Sequence, residues 1–252
     1  MTVGTLRWAE RTHGRLRARD RLALQAQLAR LMLERVPRSL GRRLGTSKKL
    51  QADLERIQPP ASATARAAAD LCAEASSDAI ANHAFRTYLW ARLLALRDGV
   101  GYDDELLYVA SVLHDLGLTE RFWGRHGSEC FSIDGGEAAR EFALAQRWPR
   151  GRADALAEAL VLHLNVQVRD RQGVEARLMQ SGTTLDVTGA RLGGIARQTA
   201  AAVVARHPRL GLKSEFAEWF RREIAQRPDA RLAFLDEKVG LGRRMHAAPF
   251  ES

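Results

Sequence analysis

Four residues whose side chains commonly bind metal ions stand in a fixed order along the chain: His83, the adjacent pair His114 and Asp115, and Asp186. Two imidazoles and two carboxylates can hold one divalent cation and leave positions open for water. Since this ligand set needs no thiolate, it suits Zn, Fe or Mn, with Zn as the first candidate. The chemistry that these residues predict is therefore the activation of a water molecule by a bound divalent metal ion.

The central pair is the part of this pattern that is hardest to explain by packing alone. His114 and Asp115 end the apolar stretch ELLYVASVLHDLG. Adjacent helical residues project about 100° apart, so both reach one ion most easily near a helix end that faces a cavity. Burying both without partners would cost on the order of several kcal/mol. These two residues, with His83 upstream and Asp186 downstream, therefore favour a metal site over structural histidines.

Three nearby residues are candidates for handling protons or substrate. Asp115 can serve as both a metal ligand and a base, and His163 lies in the apolar stretch ALAEALVLHLNV. We interpret His163 either as a proton-transfer or substrate-contacting group, or as a satisfied core histidine. Arg86 follows His83 by about one helical turn. It either meets an anionic substrate or pairs with Asp104 or Glu105, and the sequence leaves both readings open.

Other polar residues receive less specific predictions. His126 lies in a polar loop, where it is expected to be a solvated or lid residue. If His126 and His163 were both ligands, the site would be dinuclear, although their spacing gives only weak support. Asp134 is expected to cap a helix that begins near Gly135. Three further histidines are expected at the surface: His13, His207 and His246.

Helical spacing of apolar residues dominates the chain, and strand signals are scarce. The sequence therefore predicts an all-α helical bundle with an N-terminal helical extension. Ser77 and Asp103 are expected to lie at or next to helix N-termini. The predicted helices that surround the candidate residues cover 62–75, 78–98, 103–117, 134–146, 152–166, 173–180, 188–206 and 214–226, which places Asp186 between two helices.

The positive charge is concentrated at one end of the chain. Residues 1–57 hold 14 Lys/Arg against 5 Asp/Glu, so this segment accounts for the whole net charge of +9. We therefore predict two parts, a basic helical extension over 1–57 and a metal-binding helical domain over 58–252. Arginines can bind phosphate, so nucleic acid is a conceivable partner of the extension, but the favoured interpretation is a solvated helical face.

The cysteines and the apolar runs of the sequence indicate the cellular compartment. Two cysteines, Cys72 and Cys130, do not imply a disulfide framework. The first residues lack the apolar core of a secretory signal, and no apolar run approaches ~18 residues. We expect a cytoplasmic protein that acts on a small molecule without a membrane partner, and the sequence makes no prediction of its oligomeric state.

Residues 59–191 resemble the HD superfamily, and within it the cyanamide hydratase-like branch. The segments that carry this resemblance are NHAFRTYLW (82–90), YDDELLYVASVLHDLGLTERF (102–122), FSIDGGEAA (131–139) and LDVTG (185–189). The resemblance implies that the fold is an HD-type helical bundle, that His83, His114, Asp115 and Asp186 are ligands, and that the activity is hydration or hydrolysis. Relatives commonly have Glu where this chain has Ser132, so proton transfer here is expected to rest on Asp115, His163 or water.

The sequence thus predicts a metal-dependent hydrolase or hydro-lyase, with a nitrile-like substrate such as cyanamide as the sharpest candidate. We expect its pocket to be small and largely apolar, lined by Leu113, Leu116 and the helix around His163. One alternative is an HD phosphohydrolase acting on a nucleotide or other phosphomonoester, for which Arg86 and Arg191 are the candidate phosphate contacts. The other is a non-catalytic, basic helical binding module.

Overall fold

The computed structural model describes residues 2–44, 49–128 and 130–250, and of residues 34–44 it describes only the backbone. Over these residues the fold is all-α, as predicted. The helices are α1 (Leu6–Thr12), α2 (Ala18–Leu44), α3 (Ala63–Ala75), α4 (Asp78–Asp98), α5 (Asp104–Leu113), α6 (Phe131–Ala145), α7 (Arg150–Leu162), α8 (Val174–Thr188), α9 (Arg197–Arg206), α10 (Leu212–Gln226), α11 (Arg231–Val239) and α12 (Leu241–His246). Short 3₁₀ turns lie at Leu54–Arg56, Leu116–Leu118, Asp170–Gln172 and Leu192–Gly194.

The helix that carries His83 and the helix directly before His114 and Asp115 begin at side-chain caps. Ser77 accepts a hydrogen bond from the backbone N–H of Ile80 at the start of α4, and Asp103 accepts one from Leu106 at the start of α5. Such caps satisfy backbone donors that have no partner within the helix. The cap predictions are confirmed, and they fix where α4 and α5 begin relative to His83 and His114.

The helix that carries Asp186 differs from its prediction. It was expected to end near residue 180, but α8 continues to Thr188, so Asp186 lies inside a helix and is fully buried. A Cβ at Gly182 would collide with the backbone carbonyl of Thr87, so only glycine lets α8 lie this close to α4. Gly189, with φ of 72°, then ends α8, and α9 begins only at Arg197. The predicted helix over 188–206 is therefore wrong in its first half.

Asp134 also differs from its prediction. Helix α6 begins at Phe131, so Asp134 lies in its first turn and does not cap it. Its carboxylate accepts hydrogen bonds from the backbone N–H of Gly124 and the hydroxyl of Ser128, both at 2.9 Å, and pairs with Arg227 at 3.0 Å. Asp134 therefore ties the loop before α6 to the end of α10.

The helices enclose two hydrophobic clusters. The larger one lies among α3 to α8, where α4 packs extensively on α8 and α6 on α7. The second includes Trp8, Leu16 and Leu24 from the N-terminal segment together with Phe131 and Phe216. The N-terminal residues thus contribute apolar side chains to the body of the fold, and the division at residue 57 stays a prediction.

Both cysteines are free and buried. Across the described ranges, no helix combines the length and apolar character that a membrane span requires.

Candidate metal centre and its pocket

Three of the four predicted ligands meet at one buried point. The Nε2 atoms of His83 and His114 lie 3.2 Å apart, and Oδ2 of Asp115 lies 3.2 Å from His114 Nε2 and 3.5 Å from His83 Nε2. Donor atoms bound at 2.0–2.1 Å around a tetrahedral ion lie about 3.3 Å from one another. The spacing of His83, His114 and Asp115 therefore matches three ligands on one metal ion, and the described part of the chain offers no other such group.

Hydrogen bonds fix the tautomers of both histidines. Nδ1 of His114 lies 2.8 Å from the carbonyl oxygen of Ser111, and Nδ1 of His83 lies 2.7 Å from Oδ2 of Asp186. Because a carbonyl and a carboxylate can only accept, each Nδ1 must carry the proton. The two Nε2 atoms are then left with lone pairs that face each other across 3.2 Å. When both rings are neutral, these lone pairs repel each other unless a positive charge, a proton or a metal ion, lies beside them.

The charge on Asp115 gives an independent reason to expect a cation at this point. Its ion pairs in the described part of the chain are with three histidines: His83, His114 and His163. Burial alone would raise the pKa of Asp115, but His114, His83 and His163 outweigh it and hold the pKa well below its usual range. Burial opposes protonation of His114, yet Asp115 raises the pKa of that ring. The cluster thus favours a positive charge beside the Asp115 carboxylate.

Asp186 lies on the far side of His83 from this point. Arg86 donates to its two oxygens from Nε at 2.8 Å and Nη2 at 2.9 Å, and Trp90 Nε1 donates at 2.7 Å. Arg209 adds a contact at 3.3 Å. Burial would raise the pKa of Asp186, but Arg86 and His83 outweigh it and keep the carboxyl ionised. The structure therefore surrounds Asp186 with donors and sets it behind the ring of His83.

The two carboxylates predicted as partners of Arg86, Asp104 and Glu105, are wrong. Arg86 is fully buried, and besides Asp186 it donates to the backbone carbonyls of His207 and Pro208. Asp104 instead pairs with Arg92 at 2.9 Å. The sequence could not show this, because Asp186 is one hundred residues from Arg86 and reaches it only through the crossing of α4 and α8.

His163 lies beside the cluster. Its Nδ1 donates to the carbonyl of Leu160 at 2.5 Å, and its Nε2 lies 3.7 Å from Oδ1 of Asp115. Burial lowers the pKa of His163 to about 3, against the opposing effect of Asp115, so the ring is neutral near pH 7. His126 lies elsewhere, 3.2 Å from Glu141, and the metal-capable group does not include it.

A cavity of about 220 Å³ lies over the cluster. His83, Asp115 and His163 form its buried floor, and the exposed side chains of Met32 and Arg244 mark its mouth. The walls are mostly apolar and come from α2, the turn at 116–118, α6, the segment after α7, α8 and α10 to α12: Leu28, Leu31, Leu118, Phe131, Leu164, Val166, Val187, Phe216, Phe220, Leu235, Val239 and Leu241.

The apolar character of this pocket and the contribution of the segment around His163 match the prediction, but the two predicted leucines and the small size do not. Leu113 and Leu116 belong to the larger hydrophobic cluster and are not among the lining residues. Leu113 is the last residue of α5, and Leu116 begins the 3₁₀ turn that follows the ligand pair. The cavity is also much larger than a three-atom substrate requires, since a cavity of about 150 Å³ already holds benzene.

The pocket offers little positive charge for a phosphate group. Within the described residues, Arg244 at the mouth is the one Lys or Arg that lines it. Arg191, a predicted phosphate contact, instead pairs with Asp98. Because phosphoryl groups are held by several cations or by a cradle of backbone N–H groups, this lining does not favour a phosphohydrolase.

Several residues at the site were not predicted. Trp90 and Arg209 contact Asp186, and the ring of Phe216 meets His83 edge-on with centroids 5.0 Å apart. His207, expected at the surface, is half-buried and stacks on Phe85 at 5.2 Å. No local motif distinguishes these residues, because each acquires its role only when distant helices pack together.

Comparison with known proteins adds independent information. No family model matches the chain. Two proteins of Saccharomyces cerevisiae, cyanamide hydratase DDI2 and cyanamide hydratase DDI3, are each 29% identical to it over 176 residues, which cover 68% of this chain and 77% of theirs. Over about two thirds of its length, the chain is therefore similar to two yeast cyanamide hydratases.

Proposed function

We propose that this protein is a metal-dependent hydratase that adds water to the C≡N bond of a small nitrile-like molecule such as cyanamide. The observation that carries the proposal is the convergence of two histidine lone pairs and one carboxylate oxygen at the floor of an apolar pocket. The similarity to two cyanamide hydratases supports the same reaction.

Three residues would hold the ion: His83, His114 and Asp115. A divalent ion such as Zn²⁺, when bound, lowers the pKa of a water molecule toward neutrality and polarises the bond under attack. In this proposal Asp186 does not bind the ion. It accepts the Nδ1 proton of His83 and so directs Nε2 of that ring toward the cluster, as carboxylates commonly do behind metal-binding histidines.

The net reaction requires proton transfer and no redox chemistry. The two π bonds of C≡N and the two O–H bonds of water break, and one C=O double bond and two N–H bonds form, so both hydrogens of the water end on nitrogen. Cyanamide would thus give urea. Oδ1 of Asp115 and Nε2 of His163, 3.7 Å apart, are the two groups at the floor that can accept a proton and return it. Ser132 is fully buried and outside the lining, so it takes no part.

The test is urea formation from cyanamide by the Zn²⁺-loaded protein, measured together with metal content. His114→Ala and Asp115→Ala should lose most of the metal and more than 99% of turnover, because each removes one of three ligands. His126→Ala is the matched control, since His126 lies outside the metal-capable group, and it should keep both. Binding of Zn²⁺ should also raise the melting temperature of the parent protein and not that of His114→Ala.

Two results would contradict the proposal. Full metal occupancy in both His114→Ala and Asp115→Ala would reject the ligand assignment. Hydrolysis of nucleotides or phosphomonoesters without any urea formation would reject nitrile hydration and favour the phosphohydrolase alternative.

A further inference from the structure

We propose that the natural substrate carries an uncharged apolar substituent, about the size of a benzene ring, on the group that is hydrated. This inference rests on the proposed function and concerns the part of the same pocket that cyanamide would leave unfilled.

The volume exceeds what the reacting group needs. A cavity of about 150 Å³ with an aliphatic and aromatic lining accommodates benzene. The cavity here measures about 220 Å³. It therefore has room for a ring of that size together with a cyano group, whereas cyanamide alone would leave most of it to water or to empty space.

The walls would bind water poorly. Leucines at positions 28 and 31 of α2 face the cavity together with Phe216 and Phe220 of α10 and Val187 of α8. Water in such surroundings finds few hydrogen-bond partners, so an apolar group that displaces it is stabilised by burial.

Three polar residues of the wall already bond within the protein. The hydroxyl of Thr184 donates to the carbonyl of Gln180 at 2.7 Å, and that of Thr188 donates to Thr184 at 2.6 Å. Asn165 donates to the carbonyl of Val3 at 3.0 Å and accepts from Arg231 at 2.9 Å. Because these groups bond within the protein, they do not require a polar substituent on the ligand.

Charge and orientation define the substituent further. Arg244 is the basic residue at the mouth and Asp115 is the acidic residue at the floor among the described lining residues, so the space between them has no fixed charge. The reacting group must reach the buried floor, which directs the substituent toward α2. The rings of Phe216 and Phe220 stack with centroids 5.6 Å apart along this path and offer contacts that suit an aromatic group.

The experiment compares kcat/KM of the Zn²⁺-loaded protein for cyanamide, benzylcyanamide and N-(carboxymethyl)cyanamide, with the corresponding ureas as products. We expect benzylcyanamide to exceed cyanamide at least tenfold, since each buried methylene alone is worth a severalfold gain. The carboxymethyl compound should not exceed cyanamide, because its charge would enter an apolar space. Benzylurea should also bind the metal-free protein in calorimetry, a result that does not depend on turnover.

A pair of tryptophan substitutions on α2 locates the effect. Leu31→Trp places a large ring into the cavity and should lower the benzylcyanamide-to-cyanamide ratio at least tenfold and weaken benzylurea binding. Leu22→Trp is the control on the same helix, since Leu22 is 66% exposed and does not line the cavity, and it should change neither quantity.

The possible failures are distinguishable. If cyanamide is hydrated as well as or better than benzylcyanamide, the proposed function stands and the substituent is rejected. An unchanged ratio in Leu31→Trp would also overturn the inference. If none of the three compounds gives a urea although the metal binds, the proposed function fails and the inference fails with it.

Discussion

Arg86 binds both carboxylate oxygens of Asp186, through Nε at 2.8 Å and Nη2 at 2.9 Å. The same carboxylate lies 2.7 Å from Nδ1 of His83, and all three side chains are fully buried. A bidentate guanidinium pair is among the most directional contacts that side chains make. Arg86 therefore holds Asp186 in one position, and Asp186 in turn holds the ring of His83 with Nε2 facing His114.

This arrangement predicts different consequences for two residues that the sequence treats as equivalent ligands. Asp186→Asn should retain a metal ion with affinity reduced about 10–100-fold, because the amide still contacts His83 but orients it less firmly. His114→Ala should lose the ion. Metal content after dialysis, and affinity measured by chelator competition, distinguish the two outcomes.

The control must exclude unfolding, since Asp186→Asn leaves the buried Arg86 without its carboxylate partner. Circular dichroism of each variant supplies that control, and only folded variants are compared. If folded Asp186→Asn loses its metal as completely as His114→Ala, then Asp186 is a direct ligand, as its place in the sequence pattern predicts.

The central part of the site could be predicted from the sequence because its signal is local. His114 and Asp115 are adjacent at the end of an apolar helix. Burying two such polar side chains without a binding partner would be costly. Asp103 and Ser77 carry equally local cap signals, and both were confirmed.

The surroundings of the site could not be predicted, because they depend on how distant helices cross. The contact of Arg86 with Asp186 requires α8 to continue past residue 180 and to approach α4 at Gly182. Likewise, Phe216 and Leu31 reach the pocket from α10 and α2, far from the ligands in sequence. Apolar spacing showed that these helices bury a face, but not which cavity the face would line.

His207 provides a prediction about pH. Burial, then the charges of Arg86 and Arg206, lower the pKa of this imidazole to about 4, compared with about 6.5 in an unfolded chain. Between these values the unfolded state binds a proton that the folded state does not. The contribution of His207 to stability is therefore complete above about pH 6.5 and is lost as the pH falls toward 4.

Urea denaturation of the parent and of His207→Gln at pH values from 7.5 to 5 tests this. The stability of the parent should fall more steeply with acidification than that of the variant. His246→Gln replaces an exposed histidine and should behave like the parent. Parallel pH curves for the parent and His207→Gln would show that the ring titrates alike in both states.

Ser132 lies against a buried arginine and not in the pocket. Its hydroxyl accepts a hydrogen bond from Nη2 of Arg231 at 2.6 Å, and both side chains are fully buried. Ser132→Ala should lower the free energy of unfolding by about 1–3 kcal/mol, because one N–H donor of the buried Arg231 guanidinium loses its acceptor. Turnover per folded molecule should stay within about twofold of the parent. Denaturation curves and kcat/KM measured on the same preparations test this.

Ser132→Glu adds a further test, because the family resemblance leaves open whether a carboxylate at this position would help proton transfer. A carboxylate here would meet Arg231 before it could reach substrate, so we expect no gain in turnover. A clear gain would show that the side chain reaches the pocket floor.

Trp8 tests whether the basic N-terminal segment is separable from the metal-binding helices. Its ring is fully buried in the cluster that contains Phe131 and Phe216, with the guanidinium of Arg231 5.4 Å from its centroid. Trp8→Ala should therefore lower the free energy of unfolding by about 3–5 kcal/mol, the usual cost of deleting a large buried side chain. Leu22→Ala, at a residue that is 66% exposed, should change it by less than about 0.5 kcal/mol. If Trp8→Ala lowers the free energy of unfolding as little as Leu22→Ala does, residues 1–57 form a detachable extension, as the charge distribution predicts. A large decrease would mean that this segment, although it carries all the net charge, is held by the same core that supports the pocket.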